Sequence, residues 1–354
     1  MPVKVFIVDD SAVVRRVVGR LLAEQHGIEV VGAAADGQQA LAALPDARPD
    51  VVILDVEMPV LDGLSTLREI MRRHPMRVVM LSAHTTVGSK ATVEALALGA
   101  VDFVPKGMPG GLSALVAELA AKVKLAAGVP LERLLKFPVK QPRPHRITPC
   151  AADRPGVVVI GCSTGGPAAL RVVVPALPAE LPVGVVVVQH MPPGFTRTLA
   201  EHLAGLSALK VRHAADGDPV VPGQILVAPA GMGFRFRPGI DGVRVAVEAS
   251  TKPLPPGAFR PSVDEVMTSA AEVFGPRTVG VLLTGMGRDG ARGMAAVKQR
   301  KGYTVAEDES TCVVYGMPRA AVDAGVADKV LPLPRIPGEI VRLVEAISAQ
   351  AKEL

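Results

Sequence analysis

Three aspartates stand directly after short apolar runs: Asp9 and Asp10 after 5–8, and Asp55 after 51–54. Ser82 follows the run 78–81, and Lys106 follows 101–104 with one proline between. In a parallel α/β sheet the carboxyl ends of the strands line one crevice. Three carboxylates, a hydroxyl and an ammonium would therefore meet on one edge. Carboxylates gathered so closely repel one another and call for a cation, and an oxygen-only donor set favours Mg²⁺. An aspartate beside Mg²⁺ is able to attack a phosphoryl donor, and Lys106 and Ser82 could then hold phosphoryl oxygens. A strand-end aspartate is also a common helix cap, but five matched positions on one edge weigh against that bland explanation.

A second constellation lies further along. Gly161-Cys162-Ser163-Thr164-Gly165 follows the run 157–160 and precedes a helical stretch, which is the strand–turn–helix context that presents a serine Oγ. The pattern alone is weak in a chain with 35 glycines. Three histidines follow it: His190, His202 and His213. His190 closes the run 185–188 after Gln189, at another strand end, and is the best base. His202 sits in a helical stretch and His213 in a polar stretch expected to be a loop. Asp289 lies beyond a third strand, 279–283, and would orient His190; its bland alternative is a helix N-cap. The order Ser163, His190, Asp289 differs from the Ser–acid–His order of the α/β-hydrolases. A dinucleotide-binding turn is the rival for 161–166. It lacks the G-x-G-x-x-G spacing, Gln189 stands where a ribose-binding acid would be, and no lysine is placed for a P-loop.

The elements that must position these residues form two alternating sets. In the first, apolar runs at 5–8, 30–34, 51–54, 78–81 and 101–104 alternate with helix-period segments at 12–24, 38–44, 64–73, 86–98 and 112–125. Strict alternation predicts a parallel sheet covered on both faces. The second set has runs at 157–160, 183–188, 225–227, 279–283, 303–306 and 326–331, with helices at 167–176, 195–206, 262–274, 289–300, 318–324 and 337–349. A Gly239-Ile240-Asp241-Gly242 turn between 234–237 and 243–247 predicts one antiparallel hairpin. The expected fold class is thus α/β, with two doubly wound parallel-sheet domains: a flavodoxin-like N-terminal domain and a Rossmann-like three-layer C-terminal domain with a hairpin insertion. Expected boundaries are 1–126 and 156–354, with a proline-rich basic linker at 127–155.

Length and composition fit that plan. The chain has 354 residues, 49% hydrophobic and 21% charged, enough for two cores. The net charge is +5, but residues 126–155 alone carry 6 basic against 2 acidic side chains. Neither flanking domain then has a nucleic-acid footprint, and with no Trp, 2 Tyr and 8 Phe there are few platforms for base stacking. A DNA-binding output is disfavoured accordingly. Three cysteines (Cys150, Cys162, Cys312) make no framework and no metal spacing, which points to a reducing cytosol. No uncharged window reaches the length of a membrane span, and the early Asp9 and Asp10 are unlike a signal peptide.

Residues 3–125 resemble a response-regulator receiver domain, through Val8-Asp9-Asp10-Ser11, Leu54-Asp55-Val56-Glu57-Met58-Pro59, Asp62-Gly63 and Asp102-Phe103-Val104-Pro105-Lys106. That resemblance implies that Asp55 accepts the phosphoryl group, that Asp9 and Asp10 hold Mg²⁺ with it, and that Ser82 and Phe103 occupy the switch positions. Residues 156–350 resemble the catalytic domain of the chemotaxis protein-glutamate methylesterases, the CheB family. The segments that carry it are Gly161–Gly166, Gln189-His190-Met191-Pro192, Arg260-Pro261-Ser262-Val263-Asp264, Thr284–Gly290 and Val314-Tyr315-Gly316-Met317-Pro318. Three positions depart from that family: Cys162 replaces a small residue such as Ala, Arg288 a short polar residue, and Glu307 a common Gln. Cys162 is expected to be a buried filler beside Ser163 rather than the nucleophile.

The resemblance implies hydrolysis of γ-glutamyl methyl esters on the cytoplasmic helices of methyl-accepting chemoreceptors, releasing methanol, with deamidation of receptor glutamines as a related activity. Ser163 would attack, His190 would take the proton, and backbone N–H groups near Thr164 or Met286 are oxyanion-hole candidates. Ester hydrolysis itself needs no cofactor. A chemotaxis histidine kinase would supply the phosphoryl group, and in the family the unphosphorylated receiver covers the catalytic face. No nucleic-acid partner or membrane insertion is implied, and the place of action is the cytoplasm. The alternative is a phospho-regulated binding module with a catalytically silent output domain.

Overall fold

The structure, a computed structural model, describes residues 1–83, 86–108, 110–135, 155–249 and 258–350. The chain divides into two compact units, Met1–Pro138 and Val139–Leu354.

The first unit alternates β1 (Val3–Val8), α1 (Ala12–Ala23), β2 (Ile28–Ala34), α2 (Gly37–Ala47), β3 (Val51–Asp55), α3 (Gly63–Arg73), β4 (Arg77–Ser82), α4 (Thr86–Ala97), β5 (Asp102–Pro105) and α5 (Gly111–Ala127). The sheet order is β2-β1-β3-β4-β5, parallel throughout. Polar side chains start the helices by satisfying orphan N–H groups: Ser11 accepts from Val14, Asp36 from Gln39 and Asp62 from Ser65. Because helices cover both faces, β3 is buried at every position and reads as an unbroken apolar run.

Of the linker expected at 127–155, residues 136–154 lie outside the described residues. The part before them packs on the first unit. Val129 is buried and its carbonyl accepts from Arg77 Nε at 2.6 Å, and Leu134 in a short α6 (Leu131–Leu135) is buried as well.

The second unit contains β6 (Val157–Cys162), α7 (Gly166–Val173), β7 (Gly184–Gln189), α8 (Phe195–Ala204), β8 (Lys210–His213), β9 (Gln224–Val227), β10 (Met232–Gly239), β11 (Gly242–Ala249), α9 (Val263–Phe274), β12 (Thr278–Leu282), α10 (Ala291–Gln299), β13 (Tyr303–Glu307), α11 (Met317–Asp323), β14 (Lys329–Leu331) and α12 (Ile336–Gln350). Seven strands form one parallel sheet in the order β14-β13-β12-β6-β7-β9-β8, and β10-β11 form the antiparallel hairpin. The chain starts in the middle at β6, winds out through β7, then crosses back to β12 on the other side. A ligand crevice belongs where the winding reverses, at the carboxyl ends of β6, β7 and β12. On one face of these strands, Val157, Val159, Val186 and Val188 share a buried core with Val266, Met267, Ala270 and Phe274 of α9.

Three expectations need correction. His213 ends strand β8 rather than lying in a loop. β8 is a four-residue edge strand with one half-exposed face, so its polar sequence hides it. β14 is shorter than 326–331, because the Val326 carbonyl is taken by the Thr304 hydroxyl and pairing with β13 begins only at Lys329. The helix expected from Asp289 starts at Ala291, for a reason that lies in the site itself.

Candidate active site and phosphoacceptor pocket

In the first unit, the carboxyl ends of β1 and β3 deliver Asp9 and Asp55, both buried, with Asp10 exposed beside them. One carboxylate oxygen from each of the three lies within 4.8 Å of the others. Lys106, one residue past β5, reaches into the group, its Nζ 2.7 Å from Asp55 Oδ2 and 2.9 Å from Asp9 Oδ2. Burial pushes the Asp55 carboxyl up to about 6, against the pull of the Lys106 ammonium. Asp9 Oδ2 has no aligned hydrogen-bond donor despite that ion pair. An all-oxygen donor set of three gathered carboxylates suits a hard cation such as Mg²⁺, so these residues fit the metal the chemistry calls for. α3 must pass close by: a Cβ on Gly63 would sit 1.9 Å from the Asp55 carbonyl oxygen. Ser82 is buried at the end of β4 and accepts from Thr92 Oγ1 at 2.7 Å. Phe103 is buried on β5, with the Lys122 ammonium 5.4 Å from its ring centre.

In the second unit, Ser163 follows β6, His190 follows β7, and Asp289 sits in the loop after β12. Cys162 pairs with Gln189 in the sheet register, so Ser163 and His190 leave adjacent parallel strands side by side, roughly 5 Å apart along the backbone. One side chain ties them together: Gln189 Nε2 donates to the Ser163 carbonyl at 2.9 Å and to the His190 carbonyl at 3.0 Å. The His190 Nε2 lies 3.0 Å from Asp289 Oδ2. Neither ring nitrogen makes an aligned hydrogen bond among the described residues, so His190 is not bonded to the Ser163 hydroxyl here; Nε2 is the nitrogen that faces the carboxylate. Phe259, 45% exposed, stacks on the imidazole at 4.4 Å and 9° and shields one of its faces. Among the described residues only Arg48, Val60 and Lys301 are non-glycines with positive φ. The left-handed residue of this turn is therefore Gly165 (φ 79°), and Ser163 is not held in the strained conformation of a hydrolase elbow.

Asp289 lies against His190 and is also a helix cap. The helix it caps is α9 rather than the one that follows it. Its Oδ1 accepts from Ser262 Oγ (2.8 Å) and the Asp264 N–H (2.9 Å), and its Oδ2 from the Val263 N–H (2.7 Å). Asp264 reciprocates by accepting from the Gly290 and Gly293 N–H groups at the start of α10, each at 2.8 Å. These exchanged caps explain why α10 begins after Asp289. Burial alone would raise the Asp289 carboxyl, but His190 and these donors hold it down at about 2. His190 and these donors thus keep Asp289 ionised well below neutral pH.

The loop after β12 supports Ser163. The Ser163 N–H donates to the Thr284 carbonyl at 3.1 Å, and Thr284 Oγ1 donates to the Thr164 carbonyl at 3.0 Å. A Cβ on Gly285 would meet Ser163 Cβ at 2.9 Å and Met317 Sδ at 2.4 Å, so this close approach requires glycine. Met286 is exposed at the mouth, beside exposed Arg288, and Thr164 is buried. Cys162 is fully buried, and burial drives its thiol far above the ordinary value. Its Sγ lies 3.1 Å from Gln189 Oε1. A buried, protonated thiol is inert. Thiol reagents are expected to modify Cys162 and Cys312 only after unfolding; labelling of Cys162 in the native protein, read by peptide mass spectrometry, would contradict this assignment.

Sequence reasoning missed Gln189, Ser262, Thr284 and Phe259 as parts of the site, and Glu307 as a buried acid beneath it. A signal existed for two of these. Gln189 and Glu307 are polar residues ending buried strands, and a buried polar group must find partners.

Comparison with known proteins gives two family matches: residues 158–340 to the CheB methylesterase family and residues 5–119 to the response regulator receiver domain. A protein-glutamate methylesterase/protein-glutamine glutaminase 1 of Carboxydothermus hydrogenoformans is 49% identical, covering 95% of this chain and 98% of the relative. A protein-glutamate methylesterase/protein-glutamine glutaminase of Symbiobacterium thermophilum is 50% identical, covering 97% of each. The CheB methylesterase catalytic domain of Thermotoga maritima superposes with a TM-score of 0.51 at 43% identity, covering 53% of this chain and 98% of that domain.

Proposed function

Since the chain belongs to the CheB methylesterase family and carries a receiver domain ahead of the esterase domain, we propose that it hydrolyses γ-glutamyl methyl esters on methyl-accepting chemoreceptors under phosphorylation control. Receptor glutamines are deamidated at the same site, and the place of action is the cytoplasm. No helix among the described residues is long and apolar enough to cross a membrane.

The observation that carries this reading is the meeting of His190 with Asp289 at 3.0 Å beside Ser163. In the mechanism, Ser163 Oγ attacks the ester carbonyl and its proton passes to His190 Nδ1. The imidazolium, faced on Nε2 by the Asp289 carboxylate, then protonates the departing methoxide, and methanol leaves an acyl-enzyme. Water attacks the acyl group with His190 again as base, freeing the glutamate side chain and Ser163. For a glutamine the same steps release ammonia. N–H groups near Thr164 and Met286 face the developing oxyanion.

In the receiver, Asp55 takes the phosphoryl group from a histidine kinase. Mg²⁺, held by Asp9, Asp10 and Asp55, would neutralise charge on the phosphoryl oxygens during that transfer. Lys106 and Ser82 then bind those oxygens, and burial of Ser82 and Phe103 makes their rearrangement a packing event felt through the domain. Phosphorylation acts on the esterase by shifting populations between a less and a more active state.

The deciding experiment measures methanol release from methylated receptor membranes, with and without a small phosphodonor and Mg²⁺. Release that rises with phosphodonor supports the reading. A folded, phosphorylated protein that releases none points to the silent binding module instead. Asp55→Asn is expected to lose most of the phosphodonor stimulation while keeping basal turnover; equal stimulation of variant and parent would move the phosphoacceptor elsewhere.

A further inference from the structure

Glu307, the last residue of β13, is fully buried and takes no part in the chemistry described above. Its Oε2 accepts the Thr284 N–H at 2.8 Å, and its Oε1 has no hydrogen-bond partner among the described residues. Thr284 is the hub of the nucleophile turn. Its carbonyl takes the Ser163 N–H, and its hydroxyl joins the Thr164 carbonyl to the Val314 N–H at 3.0 and 2.9 Å. A carboxyl thus stands one residue contact below Ser163, in the dry interior of the sheet.

The groups around it are all neutral or acidic. Cys162 faces it from the end of β6, Thr311 and Cys312 from the loop after β13, and Asp308 adjoins it along the chain. Leu331 of β14 pairs with it in the sheet. None of these is a cation. A carboxylate buried without a cation and with an unpaired oxygen is costly, so such a group keeps its proton.

We infer that Glu307 is a positioning residue for the nucleophile turn and does its work as a neutral acid, so that its ionisation loosens Thr284 and Ser163. Burial pushes its carboxyl up to about 7, against 4.5 for a free glutamate. Protonated Glu307 leaves the Thr284 contact intact. The Thr284 N–H and the Thr311 and Cys312 side chains favour the ionised form, but burial outweighs them. Once ionised, the carboxylate gains by moving toward water, and it places a negative charge beside the site where an oxyanion must form. Between pH 4.5 and about 7 the folded chain holds a proton that the unfolded chain has lost, so stability falls as pH rises through this window. The shift corresponds to a preference for the proton of roughly a few hundred-fold in the folded state.

The test compares the full chain with Glu307→Gln, whose amide oxygen can still accept from Thr284 but cannot ionise. The melting temperature of the variant relative to the parent is expected to climb between pH 5 and pH 8, by roughly 5 °C. Over the same range, hydrogen-exchange protection of the Thr284 and Ser163 amides should fall in the parent and hold in the variant. The high-pH fall of kcat should likewise move up or vanish in the variant. Melting curves that stay parallel overturn the neutral acid, and amide protection unchanged by pH in the parent overturns the positioning role. The activity arm rests on the esterase reading; absence of turnover in both proteins counts against that reading, while melting and exchange still decide this one.

Discussion

Ser163→Ala is expected to lower methanol release by about 10⁴- to 10⁶-fold while leaving the fold intact. No neighbour can replace the lost hydroxyl. Cys162, the adjacent nucleophilic atom in sequence, is sealed in the core with its thiol held protonated and aimed at Gln189 Oε1. Water could be activated by His190, but it would have to be positioned without the Ser163 oxygen as nucleophile, so only the rate supplied by binding and the oxyanion site remains. Stability should change by less than about 0.5 kcal/mol, as for other substitutions that remove no structural contact. The serine's links to the fold run through its backbone, the N–H to Thr284 and the carbonyl to Gln189, and alanine keeps both. Its Cβ, which fits against Gly285, is kept too. The measurement is methanol release beside a thermal melt. Activity above about 1% of the parent in a fully folded variant would remove Ser163 from the nucleophile's role.

The placement of these residues was legible in the sequence because parallel strands are buried on both faces. Such strands appear as runs of about four to six mostly apolar residues, and the residues just past each run lie at one edge of the sheet. Asp9, Asp55, Ser163 and His190 were found this way, each one residue past, or the last residue of, a buried strand. The runs could not convey which side chains meet across the edge. Asp289 caps α9 from a segment 26 residues away, and Thr284 grips Thr164 across 120 residues. No local spacing encodes either contact. β8 escaped for the opposite reason: as a short edge strand with alternating exposure it has no apolar run to read. Cys162 shows the intermediate case. Its small size and place in the core strand could be read from sequence, whereas its hydrogen bond to Gln189 depends on the β6–β7 register.

Asp289→Asn should cost both activity and stability, and the two losses have separate causes. The turnover loss, about 10⁴-fold in kcat, comes from the tautomer. With the carboxylate 3.0 Å from His190 Nε2, the ring proton is favoured on Nε2, and Nδ1 keeps its lone pair for the serine proton. An asparagine that turns its NH₂ toward Nε2 makes that nitrogen an acceptor and moves the ring proton to Nδ1, so the base is lost. Turning the amide over restores an acceptor toward His190, but the NH₂ then meets the Asp264 N–H and the Ser262 hydroxyl now held by Oδ1. In the first orientation the NH₂ meets the Val263 N–H instead. One donor at the start of α9 is left facing another donor either way, at a cost of about 1–3 kcal/mol. The pH dependence separates this cap from the catalytic effect. The Asp289 carboxyl is held at about 2 in the fold, below its ordinary 3.8, so its stabilisation is complete above pH 4 and is lost as pH falls toward 2. That contribution amounts to about 2 kcal/mol, and the asparagine variant lacks it. The melting temperatures of parent and variant should therefore converge on acidification from pH 5 to pH 2 and stay apart above it. A constant gap across that range would mean that Asp289 caps α9 without being held as an anion, and the serine's base would then need a different orienter.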